Sequence, residues 1–145
     1  MLRSCVWGAM LPAIILIMLT TLVRPQFVQD LPLRKDENTM VHEIVPRDLK
    51  TRLDQGEPIM LLDVREPEEV AIVHLPGAVH IPMGDIPGRL HELDPDKEIV
   101  VYCHHGVRSM RVAMFLAQRD FAQVKNLAGG IDAWALDVAP GMTRY

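Results

Sequence analysis

Two short stretches of this chain are apolar without interruption. IMLLDV (59–64) and EIVVY (98–102) show no alternation of polar and apolar positions, which suits strands covered on both faces. The segments around them carry helical punctuation. HEIV is a brief apolar run, and Pro46 followed by RDLKTRLDQG predicts a helix with proline in its first turn and Gly56 past its end. EPEEVAIVHL predicts a short helix whose acidic first turn complements the helix dipole. After Pro76-Gly77, AVHIP reads as a strand and GDIPGRLHELD as a broken short helix. The longest helical pattern of this region runs from about Val107 to Asp120. AQVKNL is a last short strand, followed by Gly129-Gly130 and a helix in IDAWAL. Strands alternating with helices predict an α/β domain over residues 40–145, a mainly parallel sheet flanked by helices.

The N-terminal pattern is different. Residues 5–23, CVWGAMLPAIILIMLTTLV, hold no charge and lie between Arg3 and Arg24. As one helix they would span ~28 Å, near the ~30 Å hydrocarbon thickness of a bilayer. The run ends TTLVRPQ, without small residues at a cleavage point. Residues 1–24 therefore read as a single-pass N-terminal membrane anchor, with export after signal cleavage as the alternative. The basic residues Arg24, Arg34 and Lys35 lean toward a cytoplasmic domain beyond the anchor. Residues 25–39 mix prolines and charges without an apolar period and read as a linker.

Composition narrows the function. Hydrophobic residues make up 49% and charged residues 23%, a globular balance. Of the 15 basic residues only Arg3 precedes residue 24, and none of the 19 acidic residues does. The region beyond the apolar run is thus slightly more acidic than the whole-chain net charge of −4. No basic face for nucleic acid is expected. The chain has two cysteines, Cys5 in the apolar run and Cys103 far from it, which excludes a disulfide framework. The nine methionines read as core and membrane filler, with no cofactor implied.

Cys103 sits where the strand EIVVY gives way to a helix, the end of a parallel strand at which ligands gather in open α/β sheets. A helix N-terminus offers unpaired N–H groups and the positive end of its dipole, both of which favour a thiolate or a bound persulfide. Gly106 allows positive φ, so that successive amides can converge on an anion, and Arg108 adds a planar cation. This combination points to a sulfur nucleophile. A buried filler cysteine is the alternative. His104 and His105 are adjacent, and no C-x-x-C or H-x-x-x-H spacing supplies further ligands, so no metal site is expected.

Three stretches now carry a resemblance. LLDVREPEEVAIVHLPGAVHIP, VVYCHHGVRS and NLAGGIDAW occur in the order found in single-domain rhodaneses and nearly fill residues 41–141. The resemblance implies a sulfurtransferase in which Cys103 takes a sulfane sulfur as a persulfide and passes it to a nucleophile. It implies that the amides of His104, Gly106, Val107 and Arg108 cradle the outer sulfur or the donor's anionic oxygens, with His105 also facing substrate. Asp63 and Arg65 match the family's DVR signature and read as a supporting ion pair under the loop. His74 and Trp134 read as structural. The expected partners are a small-molecule sulfur donor such as thiosulfate or a persulfide, a thiophilic acceptor that includes protein thiols, and the membrane through residues 5–23. A tethered non-turnover sulfur relay or a regulatory binding module is the alternative function. A phosphatase loop would be one residue longer between its cysteine and arginine. Rhodaneses that favour thiosulfate place cationic side chains directly after the cysteine, where this chain has His104 and His105, and Val73 replaces the glycine usual before HLPGA.

Overall fold

The computed structural model describes residues 40–145. Five strands form one parallel sheet: β1 (His42–Ile44), β2 (Ile59–Asp63), β3 (Val79–His80), β4 (Glu98–Tyr102) and β5 (Val124–Leu127), in the spatial order β1-β5-β4-β2-β3. The helices are α1 (Pro46–Asp54), α2 (Pro67–Ile72), α3 (Ile86–Arg89), α4 (Val107–Ala117) and α5 (Gly130–Asp137), with a 3₁₀ turn at Leu90–Glu92. The α/β architecture expected from the sequence is present. The membrane segment expected at residues 5–23 and the linker at 25–39 lie outside the described residues. Among the described residues no helix is long and apolar enough to cross a membrane.

The uninterrupted strands behave as their polarity requires. Alternate residues of β2 and β4 enter two separate cores. Leu62, Ile99 and Val101 pack on one face with Ile86 of α3 and Val112, Ala113 and Leu116 of α4. Leu61, Val100 and Tyr102 pack on the other with Leu49 of α1 and Ile131 and Trp134 of α5. A strand buried on both faces has no solvent side for polar residues to occupy. Trp134 is accordingly core, 6% exposed. Outside the core, Arg52 of α1 binds Glu98 at the start of β4 at 2.6 and 2.7 Å, and Lys125 of β5 adds a third contact at 3.0 Å. This lashes one helix to two strands.

Two boundaries differ from the sequence reading. The helix expected to reach Asp120 ends at Ala117: Arg119 N–H bonds back to Leu116 O, and Asp120 takes a left-handed φ of 65°. That turn returns Phe121 to the core. The strand expected in AVHIP is reduced to Val79–His80 at the sheet edge, although Ile81 and Met83 N–H still bond Asp63 O and Val64 O as the chain leaves the ladder.

Leu62 is fully buried against the face that α3 and α4 cover. Leu62→Ala should therefore destabilise the domain by about 3 kcal/mol, read as a lowered urea midpoint with an unchanged slope.

Candidate active site at the carboxyl ends of the strands

β4 delivers Cys103 to the edge of the sheet, where it is 2% exposed. The chain then turns through Gly106, whose φ of +97° makes it the residue preceding α4. In that conformation Gly106 N–H donates to Cys103 Sγ at 3.1 Å. The hydroxyl of Ser109, on the first turn of α4, lies 3.3 Å from the same sulfur. Burial pushes the thiol pKa up, but hydrogen bonding from the loop and the first turn of α4 outweighs it, leaving the thiol below its ordinary value.

The loop is held in this shape from below. Ile131 and Asp132, at the start of α5, donate their N–H groups to the carbonyls of Cys103 and His104 at 2.9 and 3.1 Å. With those carbonyls turned down onto α5, the following amides face the sulfur. The contact requires a bare backbone at Gly130: a Cβ there would sit 2.3 Å from His104 O and 2.4 Å from Cys103 O. Its φ of +62° disfavours any side chain as well.

The expected supporting pair is in place. Arg65 is wholly buried, and its guanidinium grips Asp63 through Nε at 2.9 Å and Nη2 at 2.5 Å. It also donates to Val73 O at 2.8 Å, which ties β2 to the turn after α2. His80 bonds Arg65 O at 2.8 Å, whereas His74 is exposed.

Of the residues expected to meet substrate, Val107 is 65% exposed and His105 is exposed. Gly106 is buried at the turn, with its amide on the sulfur. The His104 ring stacks on His105 at 3.8 Å and on Tyr145 at 4.1 Å between centroids. Burial, followed by the neighbouring His105, holds the His104 pKa below its ordinary value. His104 is thus held toward its neutral form.

The Arg108 side chain is held in an ion pair. Its guanidinium forms a two-pronged bond with Glu69 of α2, at 2.6 and 2.7 Å, and does not stand as a free cation over the sulfur. Glu69 also accepts from Glu66 N–H at 3.1 Å and from Tyr145 Oη at 3.0 Å. Tyr145 Oη in turn receives a bond from Arg65 at 2.8 Å. The hydrogen bonds from Arg108 lower the Glu69 pKa to about 2.

Sequence reasoning missed several residues of the site. Glu69 was legible only as a favourable charge in the first turn of a helix. Ser109 follows the loop directly, and Asn126, whose side chain meets it, belongs to the NLAGG stretch that flags the closing turn. Asp132 comes within 4.8 Å of the ring nitrogens of His104 and His105, a third potential metal ligand that sequence spacing cannot reveal. Its carboxylate is engaged by Arg144 at 2.7 and 3.1 Å.

Two consequences are measurable. Gly130→Ala must displace the loop carbonyls, so it should cost at least about 1 kcal/mol from the positive φ alone, together with most of the Cys103 reactivity toward alkylating agents. Glu69 is the second case. Its folded pKa of about 2 lies below its unfolded value, so its pairing stabilises the fold above pH ~4.5 and is lost as pH falls toward 2. Glu69→Gln should flatten that part of an acid-unfolding curve followed by circular dichroism.

Comparison with known proteins agrees with this geometry. The Rhodanese-like domain family matches residues 45–137, which span β2 to β5 and the whole cysteine loop. A sulfurtransferase of Allochromatium vinosum is 42% identical over 66% of this chain and 90% of its own length. The thiosulfate sulfurtransferase GlpE of Pseudomonas syringae is 33% identical over 66% of this chain and 89% of its own. The crystal structure of a rhodanese-like domain protein from Staphylococcus aureus superposes with a TM-score of 0.64 at 30% identity, covering 72% of this chain and 99% of that one. A buried cysteine capped by loop amides at the end of β4, within a match that covers most of the described domain, makes this chain a member of the rhodanese-like domain family.

Proposed function

We propose that the protein is a rhodanese-type sulfurtransferase that moves a sulfane sulfur from a donor such as thiosulfate or a persulfide to a thiophilic acceptor through Cys103. The observation that carries this reading is the loop amide aimed at the buried sulfur: Gly106 N–H donates to Cys103 Sγ at 3.1 Å, at the N-terminus of α4. That amide and the helix N-terminus favour an anionic sulfur at a position shielded from solvent.

In the first half-reaction the Cys103 thiolate attacks the outer sulfur of the donor. An Sγ–S bond forms, and the donor's S–S bond breaks. The leaving group, sulfite when the donor is thiosulfate, departs with the electron pair. The loop amides then hold the terminal sulfur of the persulfide. In the second half-reaction the acceptor, cyanide or a thiolate, attacks that terminal sulfur, and Cys103 leaves as the thiolate. No external oxidant or reductant is consumed.

Charge around the loop bears on the donor. Arg108 is paired with Glu69 and His104 is held toward its neutral form, so a dianionic donor gains mainly from backbone amides and the α4 dipole. This favours a persulfide donor, including one on a protein, at least as much as thiosulfate. Residues 5–23 support a domain tethered at a membrane, with export after signal cleavage as the alternative arrangement.

The test is peptide-resolved mass analysis of the full chain after incubation with thiosulfate or polysulfide. A one-sulfur adduct is expected on Cys103, with thiocyanate released on addition of cyanide and both lost in Cys103→Ser. Absence of the adduct with every donor overturns the reading.

A further inference from the structure

The sulfur does not end its hydrogen bonding at Ser109. Ser109 Oγ lies 2.6 Å from Asn126 Oδ1, and Asn126 Nδ2 donates to Glu43 Oε1 at 3.0 Å. The chain Cys103–Ser109–Asn126–Glu43 thus runs from the buried nucleophile to an exposed carboxylate on the edge strand β1. Sheet register accounts for its outer part, since Glu43 and Asn126 are paired directly across β1 and β5. Ser109 and Asn126 are buried, so each relies on protein partners for its hydrogen bonds.

Hydrogen counting along the chain is restrictive. A carboxylate only accepts, so Glu43 requires the NH₂ end of Asn126 and turns Oδ1 toward Ser109. Oδ1 also only accepts, and Ser109 has one hydroxyl hydrogen. At 2.6 Å, against 3.3 Å to the sulfur, that hydrogen belongs to Asn126. Ser109 then presents a lone pair to Cys103, which suits S–H as a donor and not a thiolate. To cap a thiolate, the hydroxyl must rotate, leaving a buried amide oxygen without its donor.

We propose that Glu43, acting through Asn126, is a positioning residue that aims the Ser109 hydrogen away from Cys103 and so holds the resting nucleophile in its thiol form. The inference rests on Cys103 being the reactive group of the proposed sulfurtransferase. When Glu43 is removed, Asn126 is free to reverse its amide, donate to Ser109 Oγ and release the hydroxyl hydrogen to the sulfur. The other titratable or charged groups around the loop are His104, His105 and Arg108 beside the cysteine, Glu69 from α2 and Asp132 from α5. Their bonds run to one another, to Tyr145 and to Arg144, and none reaches the Ser109 hydroxyl.

The experiment is the pH profile of Cys103 alkylation by iodoacetamide, resolved by peptide so that Cys5 does not contribute, in the full chain. Four forms are compared: wild type, Glu43→Ala, Ser109→Ala and the double variant. Glu43→Ala should lower the alkylation midpoint by about one pH unit, the scale of one hydrogen bond to a charged group. In the Ser109→Ala background the same change should shift nothing, which a general loss of folding or of edge-strand charge would not reproduce. An unchanged or raised midpoint in Glu43→Ala overturns the proposal, as does a shift that persists without Ser109. Alkylation needs no sulfur donor, so this outcome is separate from whether a persulfide forms.

Discussion

The site depends on one contact between backbones. Two N–H groups at the start of α5 take the carbonyls of Cys103 and His104, and this settles the direction in which every later amide of the loop points. A loop free in solution would satisfy its carbonyls with water and leave its amides scattered. Docked on α5, it turns the Gly106 amide onto the sulfur, and α4 starts where the Ser109 hydroxyl can follow. The approach is so close that Gly130 has no room for a Cβ. The Gly-Gly pair distant in sequence is thus part of the cysteine's environment.

Electrostatics around the loop follow a common principle: each cation placed near the sulfur is already held by an anion. Arg65 is buried against Asp63, and Arg108 is gripped by Glu69. Tyr145 joins the two pairs through its hydroxyl and covers the His104 ring. These networks compensate the desolvation of ions that would otherwise be costly near a core. They also leave fixed N–H dipoles, and not side-chain charge, as the main force on an incoming anionic sulfur species. Such dipoles are already oriented and need little reorganisation when charge develops on the sulfur.

Much of the architecture is legible in the chain. Apolar runs without alternation within 59–64 and 98–102 mark doubly covered strands, because a strand with no solvent face tolerates few polar residues. Pro46 and Gly56 bracket a helix for local steric reasons. Edges are less legible. AVHIP reads as a strand of ordinary length, yet its regular pairing with β2 stops at His80, and α4 stops early because Asp120 turns left to bury Phe121. Both outcomes depend on neighbours that a local pattern does not contain.

The same division holds for the chemistry. By itself the sequence determined that a cysteine stands between a buried strand and a helix, that a glycine permits the turn, and that a Gly-Gly stretch follows the last strand. These are local facts, set by covalent order and by backbone freedom. Tertiary structure alone decided that Arg108 answers to Glu69, that Asp132 approaches the histidine pair, and that Ser109, Asn126 and Glu43 line up behind the sulfur. Each of these joins residues from different elements, and strand order and register, which no local spacing encodes, bring them within hydrogen-bonding distance.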